Sequence, residues 1–216
     1  MLLKRKKEPL LVVISGPTGS GKTTIARKLI ETSSKSIFSI SHTTRDKRPK
    51  EKNGVDYYFV SKEQFKQMVE NKEFLEHAKV HNNFYGTHKN EWEKAKKLGV
   101  DLILDIDVKG GNQVRKSFKE AVLIFVLPPS FKELLRRLKN RNEEKNFDIL
   151  TRFKTALREL DFAKNYQYNI INEEIDAAVE DVKEIIAASK KRSSFLKEFR
   201  EDFKKDIERF LRDKNV

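Results

Sequence analysis

LLVVISGPTGSGKTT, residues 10–24, sets the fold of this chain. Leu10-Leu11-Val12-Val13-Ile14 is a short, unbroken apolar run rich in β-branched residues. Such a run fits a strand buried on both faces, as in a parallel sheet. Gly16-Pro17-Thr18-Gly19-Ser20-Gly21-Lys22-Thr23 then matches G-x-x-x-x-G-K-[ST]. Ile25, Ala26, Leu29 and Ile30 follow at helical spacing. A phosphate chain needs backbone N–H groups turned inward, and glycines permit that nest. The helix that follows presents free N–H groups and the positive end of its dipole to the anion. Lys22 is placed to reach the β- and γ-phosphates, and the Thr23 hydroxyl to ligate Mg²⁺. Residues 16–23 are therefore expected to bind nucleotide phosphates.

Composition narrows the class. The chain has 216 residues, enough for one large domain or a core with an inserted lobe. Lys and Arg number 46 against 33 Asp and Glu, a net charge of +13. That excess invites a nucleic-acid reading. The lysines, however, are interleaved with acids on apparent helices, and no recognition motif accompanies them, so no nucleic-acid surface is expected. Cysteine is absent, which excludes disulfides and thiolate chemistry. The histidines show no ligand spacing. Met1–Lys7 is basic, but Leu10–Ile14 is too short for a signal core, and no run approaches a membrane span. A cytoplasmic protein is expected.

Further apolar strands appear at Val100–Ile106, Val122–Leu127 and Tyr168–Ile171, with helical spacing between them. Alternating strands and helices predict an α/β fold with a central parallel sheet flanked by helices. Residues 36–86 break the rhythm with short, turn-separated strands, which predicts an inserted lobe. Ser61 with Gln64, and Ser130 with Glu133, read as capping boxes. Gly110-Gly111 reads as a turn into a short helix. In open parallel sheets the ligand lies beyond the carboxyl ends of the strands. Residues 16–22, 41–48 and 105–107 are expected to meet there. Arg45 and Arg48, three apart, offer fork-shaped donors for one phosphate, and Tyr57 and Tyr85 add phenolic donors.

These segments resemble the guanylate kinases of the bacterial and eukaryotic type over roughly residues 9–190. The markers are SGPTGSGKTT at 15–24, SHTTR-x-x-RP at 41–49, G-x-DY-x-FV at 54–60, FLEHA at 74–78, NFYGT at 83–87, LDIDVKG at 104–110 and RL-x-x-R at 137–141. The resemblance implies a P-loop kinase fold: a core (9–35, 88–136, 153–190), a GMP-binding lobe (36–87), a lid (137–152) and a helical basic tail (191–216). It implies transfer of the ATP γ-phosphoryl to GMP or dGMP, with Mg²⁺.

By the same resemblance Ser41, Glu76 and Thr87 contact guanine, whose N1–H and 2-amino group suit a carboxylate acceptor. Arg45, Arg48, Tyr57 and Tyr85 clamp the GMP phosphate. Asp107 lies near GMP and, with Thr23, the metal, while Asp105 is structural. Lys22, Arg48, Arg137 and Arg152 neutralise charge during transfer, Arg141 is an alternative lid arginine, and Asn172 lies near adenine. Departures from the pattern are Asn82 and Asn142 where glycine is frequent, Lys109 where glutamine is common, and Glu173-Glu174 in place of aspartates. Phe195, Phe199, Phe203, Ile207 and Phe210 form a helical stripe in the tail, expected to pack on its own domain, with a self-association or partner surface as the alternative. Two other readings are a non-catalytic guanylate-kinase-like binding module, against which the intact Lys22 and Thr23 speak, and a nucleic-acid-stimulated NTPase.

Overall fold

A computed structural model describes residues 9–80, 82–140 and 147–213. Its strands are β1 (Leu11–Ser15), β2 (Ser36–Phe38), β3 (His42–Thr43), β4 (Tyr58–Phe59), β5 (Phe74–Val80), β6 (Asn83–His88), β7 (Asp101–Asp105), β8 (Val122–Leu127) and β9 (Tyr168–Ile171). Its α-helices are α1 (Lys22–Thr32), α2 (Lys62–Glu70), α3 (Lys89–Leu98), α4 (Val108–Ser117), α5 (Phe131–Asn140), α6 (Phe147–Leu160), α7 (Ile175–Ser189) and α8 (Lys197–Asp213).

The apolar runs form one parallel five-stranded sheet in the order β2-β7-β1-β8-β9. Strand alternation sends Val12 and Ile14 to one face, where Ile25, Ala26 and Leu29 of α1 and Val179 and Val182 of α7 cover them. Leu11 and Val13 face the other way, onto Ala95 of α3 and Val108 and Val114 of α4. Both faces are dry, which is why the strands read as continuous apolar runs rather than alternating ones. Ser15 ends β1 and Asp105 ends β7 at the carboxyl edge, so the phosphate loop and the acidic strand end emerge side by side.

The inserted lobe is a second sheet of order β4-β3-β6-β5. The expected lobe begins too early in the chain: β2 pairs with β7 in the main sheet, and the lobe's own ladder starts at His42. A bulge between Phe74 and Glu76 lets Leu75 enter the main core while Glu76 lies opposite Thr87. Phe65 of α2 stacks on Phe74 and Phe84 at ring separations of 4.7 and 5.6 Å, which seats α2 on the lobe. The Ser61–Gln64 capping box is complete. The second box is not. Ser130 Oγ accepts from Glu133 N at 3.1 Å, but the Glu133 carboxylate pairs with Arg136 and Arg137, each at 2.7 Å. Charge-assisted bonds to two guanidinium groups outcompete one backbone N–H. Gly110 and Gly111 are not a turn before a helix; they lie inside α4, which Asp107 caps.

Polar contacts add to the Leu75 packing in tying the lobe to the core. Gln113 of α4 accepts from His77 N at 3.2 Å and donates to His77 O at 2.6 Å, imitating a strand partner. Arg27 of α1 pairs with Asp56 at 2.9 Å. Helices α5 and α6 join through Leu134, Leu138 and Ala156, with Phe153 against them. Of the tail stripe, Phe199, Phe203, Ile207 and Phe210 are exposed on α8 rather than packed on the domain, and the Phe195 side chain lies outside those described. Among the described residues no helix is long and apolar enough to cross a membrane.

Candidate active site

The phosphate loop follows β1 directly. Ser20 N donates to Pro17 O at 3.0 Å, which closes the turn. Gly21 has φ 94° and ends against the Asn172 amide, so a side chain there would be both strained and obstructed. Lys22 opens α1 and is half-buried. The Thr23 hydroxyl donates to Asp105 Oδ2 at 2.5 Å, and Asp105 Oδ1 is buried with no hydrogen-bond partner among the described residues. The acid beside Thr23 is thus Asp105, for which the family resemblance implies only a structural role. Asp107 has another duty: its Oδ1 accepts from Gly110 N at 2.8 Å as the cap of α4.

In the lobe, Glu76 is only 3 % exposed. Its Oε1 accepts from Thr87 N at 3.0 Å and from Thr87 Oγ1 at 2.7 Å. Ser41 Oγ lies 3.5 Å from the same hydroxyl. Glu76 Oε2 rests against the Cα of Gly110, where any Cβ would overlap it. Burial pushes the Glu76 carboxyl up to about 7; the Thr87 bonds oppose the shift and the Asp107 charge adds to it. Ser41, Glu76 and Thr87 therefore form one group, closed on the core side by the start of α4.

A second group gathers around Arg45. Its guanidinium lies 5.4 Å from the Tyr57 ring centre, and Tyr57 meets Tyr85 edge-on at 6.0 Å. Arg45 Nη2 donates to Glu51 Oε1 at 2.7 Å, while Glu51 Oε2 accepts from Arg48 N at 2.9 Å. The bond to Arg45 holds the Glu51 carboxyl below its usual range and raises the arginine in turn. Arg48 itself is exposed. Burial raises the Tyr57 phenol, and the Asp105 charge raises it further, so the clamp and the acidic strand end sense each other.

Arg137, from the segment expected to be a lid, reaches the loop as well. Arg137 on α5 donates through Nε to Glu133 at 2.7 Å, through Nη1 to Ser20 O at 3.3 Å and through Nη2 to Asn172 O at 3.3 Å. Arg152 sits half-buried on α6. Asn172 is fully buried at 0 % exposure, and its Nδ2 donates to Ser20 O at 2.7 Å. Arg141 and Asn142 lie outside the described residues. Glu159 of α6 joins the site without any sign in the sequence motifs. Its carboxyl is raised by burial, against the pull of the Lys22 charge and a bond from the Thr18 backbone.

Glu51 and Glu159 escape sequence reasoning because a carboxylate beside other charged residues looks like ordinary surface charge. The available signal for Glu51 is its place three residues after Arg48, in a turn with no apolar pattern. Asp105 is visible in its motif, but nothing in the sequence sets it above Asp107.

A phosphate nest at the carboxyl edge of a parallel sheet, facing a lobe with a buried carboxylate and an arginine–tyrosine clamp, defines a P-loop phosphotransferase that handles two nucleotides. The guanylate kinase family model matches residues 8–189. Guanylate kinase from Caldanaerobacter subterraneus subsp. tengcongensis is 46 % identical over 86 % of this chain and 90 % of its own length. That from Geobacter sulfurreducens is 42 % identical over 88 % of this chain and 93 % of its own. A crystal structure of guanylate kinase from Anaplasma phagocytophilum superimposes with a TM-score of 0.72 at 33 % identity, covering 87 % of this chain and 89 % of that one. The chain belongs to the guanylate kinase family. It is a kinase that phosphorylates GMP at the expense of ATP.

Proposed function

We propose the following division of roles for this transfer. ATP lies with its phosphates on residues 16–23, where Lys22 and the first amides of α1 meet the β- and γ-phosphates. GMP, or dGMP, occupies the lobe. Glu76 accepts from guanine N1–H and the 2-amino group, with Ser41 and Thr87 beside it. Adenine brings a bare N1 to the same carboxylate and is repelled. A site built to hydrogen-bond its substrate rejects an analogue lacking the donors by roughly 10⁴-fold. Arg45, Arg48, Tyr57 and Tyr85 hold the GMP phosphate, and Glu51 braces Arg45 through the 2.7 Å bond.

A GMP phosphate oxygen attacks the γ-phosphorus of ATP; the bond to the ADP oxygen breaks, and ADP and GDP leave. The protein performs little covalent work. It holds two anions in line and offsets their repulsion with Lys22, Arg48, Arg137 and Arg152.

The donor set fits Mg²⁺, which is held by one or two carboxylates, water and substrate phosphates. Thr23 and Asp105 would hold it: the orphaned, buried Oδ1 of Asp105 beside the Thr23 hydroxyl supports them over Asp107, whose Oδ1 caps α4. Held there, the ion would supply positive charge that offsets the charge of the ATP phosphates. Substrates such as ATP and GMP make the cytoplasm the expected location.

The observation that carries this reading is the buried Glu76, fixed by Thr87 across β5 and β6 in a sheet separate from the one that carries the loop. A coupled assay with ATP and a panel of nucleoside monophosphates tests it. Turnover with GMP and dGMP, and none with AMP, CMP or UMP, is expected; equal turnover of AMP overturns it. Lys22→Ala abolishes transfer while GMP binding survives, and wild-type rates in that variant would remove the loop from the mechanism.

A further inference from the structure

Ser20 has two hydrogen-bonded groups on its carbonyl oxygen, and both come from outside the phosphate loop. Asn172 Nδ2 donates to it at 2.7 Å and Arg137 Nη1 at 3.3 Å. A trans peptide points its C=O and its N–H in opposite directions, and the described chain contains no cis peptide. Fixing the Ser20 carbonyl towards residue 172 therefore turns the Gly21 N–H the other way, away from residue 172.

Asn172 is well placed to act as that fixture. It is the first residue past β9, and its own N–H donates to Leu127 O at 2.8 Å, continuing the sheet ladder. Its carbonyl accepts from Arg137. Only the NH₂ end of an asparagine amide can donate, so the bond to Ser20 O sets the orientation of the whole group. Its Oδ1 is shut off from solvent. An amide enclosed in this way is badly placed to read a nucleobase. Gly21 completes the fit, because a Cβ at that position would overlap Nδ2.

We propose that Asn172 is a positioning residue for the donor phosphates: by holding the Ser20 carbonyl it keeps the Gly21 amide turned into the phosphate nest. The inference rests on the reading of residues 16–23 as the donor site and departs from the expectation that Asn172 contacts adenine. Without the Nδ2 donor, the Ser20 carbonyl keeps only the longer bond from Arg137 Nη1 at 3.3 Å, and the 20–21 peptide is held less firmly.

Calorimetry on Asn172→Asp and Asn172→Ala tests this, with ATP, inorganic tripolyphosphate and GMP as separate ligands. The aspartate keeps the shape and removes the donor. Affinity for ATP and for tripolyphosphate should fall together, by about tenfold, the scale of one buried bond lost, while GMP affinity stays within about twofold. Loss for ATP with tripolyphosphate unchanged would mean that Asn172 reads the base, and equal loss for GMP would mean that it merely supports the fold. Either overturns the proposal. If neither variant folds, hydrogen exchange of the Asn172 side-chain NH₂ in the wild-type protein decides: strong protection supports the bond, exchange at the solvent rate overturns it. A wild-type protein that binds tripolyphosphate but does not phosphorylate GMP would count against the transfer reading and leave this inference standing. A protein that phosphorylates GMP, with variants that bind tripolyphosphate normally, would overturn the role of Asn172 and leave the transfer reading intact.

Discussion

Glu76 joins burial to chemistry most directly at the scale of a single residue. Its carboxyl is pushed from 4.5 to about 7 because the site withholds water from the charge. Below pH 4.5 both folded and unfolded chains hold this proton. As pH rises towards 7 the unfolded chain releases it and the folded protein keeps it, so the group's contribution to folding is lost across that window. Glu76→Gln should flatten this part of the stability profile, read as denaturation midpoints across the window; an unchanged slope contradicts the burial argument. Guanine donates to the ionised form, so GMP binding just below pH 7 should expel a proton. Calorimetry in two buffers of different ionisation enthalpy reads that release, and proton uptake would contradict it. Much of this site is legible from residue types: Lys22, Arg45 and Glu76 stand in motifs whose chemistry is specific. The two acids at the end of β7 are not separable in that way. Strand alternation makes Asp105 and Asp107 equivalent, and only the point where the ladder ends assigns one to Thr23 and the other to the cap of α4.

Helices and strands are readable where their burial is uniform. The parallel strands stand out as apolar runs because both faces are covered. The Ser61–Gln64 box predicts the start of α2 because both partners are free to make it. Ser61→Ala should destabilise the fold by about 1 kcal/mol in chemical denaturation. No change would mean that Phe65 packing alone seats the helix. Gly110-Gly111 misleads because glycine within a helix is disfavoured by about 1 kcal/mol relative to alanine. The compensation is tertiary: Glu76 Oε2 and the Tyr166 hydroxyl occupy the places where their Cβ atoms would lie. Gly110→Ala should therefore displace Glu76 and weaken GMP binding about tenfold while ATP binding holds. Equal affinities in variant and wild type would separate α4 from the purine pocket.

The whole molecule is a parallel-sheet core that carries a second sheet on one sequence insertion, with α8 outside both. Insertion of the lobe is legible as a broken rhythm, but its border is not, since β2 is short and only pairing with β7 assigns it to the core. The tail stripe suggests packing on the domain, yet the described side chains of α8 are exposed, and helical spacing alone does not say what a face meets. Deleting residues 197–216 should leave GMP phosphorylation within about twofold, because exposed helix surface contributes little to stability; a collapse of activity would show that the tail supports the site. The central claim is that one buried carboxylate selects the purine in a pocket separate from the donor loop. Calorimetry of GMP and of ADP on wild type and Glu76→Gln tests it most directly. The account predicts that the variant loses about ten- to a hundredfold in GMP affinity and keeps its ADP affinity. A variant that binds GMP as tightly as wild type, or that loses both nucleotides together, contradicts it.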